Sequence, residues 1–89
     1  MITVFDFYAK WCEPCRKLEP YLDELEKKYT QIKFKKVNIE KEPDLSETFD
    51  VHSLPTVIIY DDVKKEVLSR IIGFNLPLIL SEIDAVALL

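Results

Sequence analysis

The sequence predicts an α/β chain: a four-stranded mixed sheet with helices on both faces, in the order β-α-β-α-β-β-α. Three observations predict it. Short β-branched and aromatic runs recur, most clearly "ITVFDFY" (2–8) and "PTVIIY" (55–60). Between them the apolar residues switch to a helical period. The last two apolar runs are separated only by the polar turn "DDVKKE", which suits a hairpin and is too short for a parallel crossover.

Each element has its own justification. The run 2–8 is nearly all apolar, as expected of a strand covered on both faces. From Cys12 to about Lys28, Leu18, Leu22, Leu25 and Tyr29 recur at the spacing of one helix face, with charges on the other. "QIKFKKVNIE" (31–40) reads as a second strand. Its apolar parity slips between Phe34 and Val37, which predicts either a bulge or two covered faces. Residues 43–50 form a short helix with Pro43 near its start and Leu45 and Phe49 inward. Residues 55–60 make a third, fully buried strand, and 67–72 a fourth in hairpin with it. Asn75 caps a final helix reaching about Leu88. The leading strand-helix-strand implies a parallel pair joined by a right-handed crossover.

With 89 residues, the chain is expected to form one small domain, 1–89, whose core is marginal and must be tightly layered. Its net charge of −4 argues against nucleic acid or an anionic membrane as partner. No apolar run approaches the ~20 residues of a membrane span. The start "MITVFDFYAK" has neither a basic leader nor a small-residue cleavage site, so the chain reads as cytoplasmic.

"WCEPC" (11–15) carries the only two cysteines. A structural zinc or iron site needs four ligands; these two thiols and the single His52 do not supply them. A purely structural disulfide across two residues closes too short a loop to restrain the unfolded chain much. Redox chemistry gives the spacing a reason. At the start of a helix, Cys12 meets unpaired backbone N–H groups and the positive end of the dipole. These stabilise its thiolate near neutral pH. Cys15, at i+3, lies on the same face, within disulfide reach and more enclosed. Pro14 fits the first turn, where a missing N–H costs nothing. A CxxC between a buried strand and a helix is a strong redox signal.

Over nearly its whole length the chain resembles the thioredoxin family. "FDFYAKWCEPCRKLEP" is similar to that family's strand, active-site loop and helix, and "VNIEKEPDLSETFDVHSLPT" to its second half, ending in the cis-proline loop. "IIGF" resembles the stretch with its late glycine. The resemblance implies a thioredoxin-like fold and a role for each matching position. Cys12 is the attacking cysteine and Cys15 the resolving one. Trp11 is the indole beside them. Pro55 is the cis-proline, and Leu54 before it offers its backbone to an extended substrate. Asp6 is the buried acid behind the cysteines, Lys36 the lysine near it, Pro20 the proline that kinks the helix and Gly73 a glycine lining the substrate groove. No cofactor or metal is implied.

These positions also have plainer readings. Asp6 can end a strand early, since strands disfavour Asp, but apolar residues flank it. Buried there, it has a raised pKa and can accept the Cys15 proton. Lys36 reads equally as a solvated edge charge. Trp11 reads as core or as half-exposed loop. Pro55 by sequence alone reads as trans. His52 reads as a solvated loop residue.

The chain also departs from the family pattern. The usual strand and helix before "VFDFYAKWC" have no counterpart, so the second strand is expected at a sheet edge guarded by Lys33, Lys35 and Lys36. Glu13 and Asp50 stand where glycine is common. A glutathione site is not expected, since "CEPC" and a Gly73 without a neighbouring glycine do not match glutaredoxins.

The sequence thus predicts a thiol–disulfide oxidoreductase that reduces protein disulfides through Cys12 and Cys15, with a reductase as electron donor. Its alternative is a redox-switched binding module that uses the groove around Trp11, Pro55 and Gly73 without turnover.

Overall fold

In the computed structural model, which describes residues Met1–Leu89, the elements run β1 (Ile2–Tyr8), α1 (Glu13–Lys28), β2 (Lys33–Asn38), α2 (Pro43–Thr48), β3 (Thr56–Asp61), β4 (Glu66–Ile72) and α3 (Leu76–Ala87). The sheet order is β2-β1-β3-β4. β1 pairs in parallel with β2 and antiparallel with β3, and β3 is antiparallel to β4. This is the mixed four-stranded sheet the sequence predicts.

Strand alternation sends side chains to two cores. Val4, Val57, Ile59 and Ile71 meet Leu18, Leu22 and Leu25 of α1 and Ile79 and Ile83 of α3 on one face. Phe5, Phe7, Val37 and Ile58 meet Leu45, Phe49 and Val51 on the other. Each fully buried side chain of this kind contributes about 1.5–3 kcal/mol. Aromatic contacts organise the second face: Phe49 lies 4.9 Å from Phe5 and 5.4 Å from Tyr60, ring centre to ring centre. No helix is long and apolar enough to cross a membrane.

The parity slip in β2 resolves as two covered faces, not a bulge. Its register with β1 is continuous from Thr3↔Lys33 to Tyr8↔Asn38. Phe34 packs on the α1 side and Val37 on the α2 side. The irregularity lies instead between β3 and β4, where Ile59 pairs with Ser69 and Tyr60 with Val67, leaving Leu68 extra. β2 is a sheet edge, as expected. Two of its three lysines are paired: Lys35 with Glu42 at 3.5 Å, and Lys36 with Asp23 at 2.9 Å and Glu19 at 3.4 Å. α2 ends at Thr48, short of the expected Asp50, which takes φ 55° as it leaves the helix. Asp tolerates this left-handed conformation better than most residues. The Asn75 cap forms, its Oδ1 accepting the Leu78 N–H at 3.4 Å. α1 runs unbroken through Pro20.

Candidate active site

The sheet delivers the site through the end of β1. After Tyr8 the chain turns, with the Cys12 N–H donating to the Ala9 carbonyl at 3.1 Å. Cys12 then serves as N-cap of α1, with extended backbone. Its Sγ accepts the Cys15 N–H at 3.3 Å. A sulfur thus occupies the place where a capping oxygen normally satisfies a free helix N–H. In the reduced protein that donor and the helix dipole favour a thiolate at Cys12. Pro14 occupies the first turn.

Cys12 and Cys15 are joined by a disulfide, with Cα atoms 5.3 Å apart, inside the usual span of roughly 4.4–6.8 Å. Both cysteines are about equally enclosed, at 5% and 4% exposure. The expectation that Cys15 is the more enclosed therefore does not show in residue burial. They differ in which hollow they face. Cys12 lines a groove of about 360 Å³ with Trp11, Glu13, Pro14, Ile39, Val51, His52, Ser53 and Leu54. Cys15 lines a separate recess of about 170 Å³ with Asp6, Tyr8, Ala9, Lys10, Arg16 and Glu19.

Asp6 sits mid-strand on the α1 side of the sheet and is 5% exposed. Its Oδ1 has no hydrogen-bond partner. Burial pushes its carboxyl up to about 7; the Lys36 ammonium opposes the rise, and Glu19 and Asp23 add to it. A carboxyl at this value exchanges its proton near neutral pH, as a general base requires. Asp6 also borders a hollow of about 10 Å³ beside Leu22, Asp23 and Lys36, room for about one water. Lys36 stands opposite Asp6 in the β1–β2 register, yet its ammonium is bonded to Asp23 and Glu19. It acts on Asp6 through its field, and its own pKa is raised chiefly by the Asp23 hydrogen bond.

The far wall belongs to the β3 entry. The Leu54–Pro55 peptide is cis, as the family resemblance implies, and Pro55 is fully buried. The Gly73 N–H donates to the Pro55 carbonyl at 2.8 Å. Gly73 has φ 89°, a conformation that favours glycine. Gly73 and Pro55 therefore back the loop that carries Leu54, while Leu54 itself walls the groove. Trp11 is 64% exposed, on the rim and not in the core.

Sequence reasoning passed over two features. His52 is a groove wall as well as a loop residue, with Nε2 2.5 Å from Asp50 Oδ1. Arg16 donates from Nη1 to the Lys10 carbonyl at 3.0 Å and from Nη2 to Glu13 at 2.5 Å. Its position right after the second cysteine was the one available signal. No group of three or more His, Cys, Asp or Glu side chains is gathered to hold a metal.

Comparison with known proteins identifies the family and the fold. Residues 1–76 match the thioredoxin family model. The chain is 38% identical over 74 residues to a thioredoxin of Chlamydia caviae, spanning 83% of this chain and 71% of that one. It is 35% identical over 72 residues to the mitochondrial thioredoxin-3 of Saccharomyces cerevisiae, spanning 81% of this chain and 55% of that one. The crystal structure of oxidised yeast thioredoxin 3 superposes with a TM-score of 0.86 at 31% identity, covering 94% of this chain and 77% of that one. The chain belongs to the thioredoxin family of thiol–disulfide oxidoreductases.

Proposed function

We propose that the protein works as a reductant of protein disulfides. The Cys12 thiolate attacks a substrate disulfide: a bond forms between Cys12 sulfur and one substrate sulfur, and the other leaves as a thiolate. Asp6 takes the Cys15 proton. The Cys15 thiolate then bonds to Cys12 sulfur and expels the second substrate thiolate. Two electrons pass from the dithiol to the substrate, and a separate reductase restores the dithiol.

The observation that supports this reading best is the division of the two sulfurs. Cys12 opens on the groove of about 360 Å³ walled by Trp11, Ile39 and Leu54. Cys15 opens on the recess that holds an acid poised near 7. Attack and resolution thus have separate surroundings. The groove, with Leu54 on its wall, is where we place the substrate chain.

The test is catalytic reduction of insulin with dithiothreitol as electron source. Turnover that is lost in Cys12→Ser supports the reading. Stoichiometric binding of a partner without turnover, unchanged in that variant, replaces it with the redox-switched module. We also read the protein as cytoplasmic. The yeast relative is mitochondrial, so fractionation of cells expressing the full-length protein decides the compartment.

A further inference from the structure

Glu13 follows Cys12 in the chain and lines the same groove, so it brings a carboxylate to the surroundings of the sulfur that must become an anion. By itself that charge disfavours a Cys12 thiolate. The structure holds it in a specific arrangement. One guanidinium, Arg16, spans from the Glu13 carboxylate to the Lys10 carbonyl. The two contacts bracket Trp11 and Cys12, so the fork closes a ring around the active-site loop. Lys cannot reproduce a fork with two fixed directions. In this geometry Glu13 Oε2 is bonded to Arg16, so its charge is offset at the guanidinium instead of standing alone beside the motif.

We propose that Arg16 is a positioning residue for Cys12: by tying Glu13 to the Lys10 carbonyl, it lets an acidic residue stand in the active-site motif without destabilising the neighbouring thiolate. The inference rests on Cys12 being the attacking sulfur. It makes Glu13 and Arg16 a coupled pair rather than two independent charges. If each acted only through its own fixed charge, removing Arg16 would have the same effect whatever side chain stood beside Cys12. If Arg16 restrains Glu13, its loss matters more while Glu13 is present.

The test is a four-variant cycle: wild type, Glu13→Gln, Arg16→Ala and the double variant. Each is fully reduced, and the rate of iodoacetamide alkylation is followed against pH, with peptide mapping of the labelled cysteine. The other ionisable groups around the site are the same in all four: Lys10, Glu19 and Asp6 in the recess and His52 across the groove. Both Glu13 and Arg16 are largely exposed, so folding is expected to survive, and thermal melts check it. Arg16→Ala should lower the Cys12 rate at neutral pH about three- to fivefold, the scale of one unscreened charge contact in water. In the Glu13→Gln background the same change should lower it less than about 1.5-fold, the residual long-range effect. Arg16→Lys should recover only part of the rate. Equal effects in the two backgrounds, with Cys12 labelled first, overturn the inference and leave the proposed function standing. Labelling first at Cys15 overturns both.

Discussion

Asp6 and Cys15 line one recess, Asp6 from β1 and Cys15 from α1, and the Asp6 Oδ1 there lacks any hydrogen-bond partner. That pairing has a thermodynamic signature. The folded-state carboxyl titrates at about 7, against 3.8 for the ordinary group. Between those values the folded protein holds a proton that the unfolded chain has released. Stability therefore falls as pH rises from about 4 through 7 and levels off above.

Asp6→Asn removes this slope. Urea unfolding at pH 5 and pH 8 should show wild type losing on the order of 2–4 kcal/mol across the interval. The variant should be nearly flat and more stable than wild type at pH 8. It should also slow resolution of the mixed disulfide. A wild-type profile that rises with pH overturns the first role, and an unchanged resolution rate removes Asp6 from the mechanism.

Lys36 holds the Asp6 carboxyl down while Glu19 and Asp23 push it up. Lys36→Met removes the cation and leaves both neighbouring carboxylates unpaired. The pH of half-maximal resolution should move up. At pH 7 the single-turnover rate should fall about two- to fivefold, because a carboxyl titrating about half to one pH unit higher is ionised that much less there. A downward movement would show that Lys36 acts otherwise than through its field.

Cys15→Ser should accumulate a covalent adduct between Cys12 and a substrate cysteine, because the resolving thiol is gone. Cys12→Ser should form none. Mass spectrometry of the trapped species reads the bond directly, and adducts mainly on Cys15 in the wild type would reverse the assigned roles.

Gly73→Ala separates backbone strain from crowding. A methyl there meets no atom within 4 Å, but φ is 89°. The cost is thus conformational, more than about 1 kcal/mol. A clear drop in melting temperature is expected. No change would mean that the chain after β4 relaxes freely and that its bond to Pro55 does not hold the loop.

Much of the fold and site was legible because local pattern and tertiary environment agree. The run 2–8 reads as a buried strand, and five of its seven residues are buried. Leu18, Leu22 and Leu25 announce the inner face of α1, and Asn75 the cap of α3. What failed was information that lives between elements. "EVLSRII" carries no mark that Leu68 is the extra residue, because the bulge is fixed by pairing with β3. Glu19 and Asp23 are visibly one helical turn apart, yet only the packing of α1 beside β2 makes them partners of Lys36. His52 looks like any polar loop residue until the loop folds beside Trp11 and Pro14. Arg16 reads as a solvated helix charge until the turn at Ala9 brings the Lys10 carbonyl within reach.

The reduction potential tests most directly whether the Cys12–Cys15 pair gives electrons to protein disulfides. It is measured by equilibrating the protein with glutathione or dithiothreitol buffers at pH 7 and quantifying alkylated dithiol. A site whose Cys12 charge is stabilised by one helix terminus, with Glu13 held off by Arg16, should lie near the roughly −270 mV of thioredoxin. A value near about −120 mV, that of a strong oxidant whose reduced form is stabilised, would contradict it and make the protein a donor of disulfides.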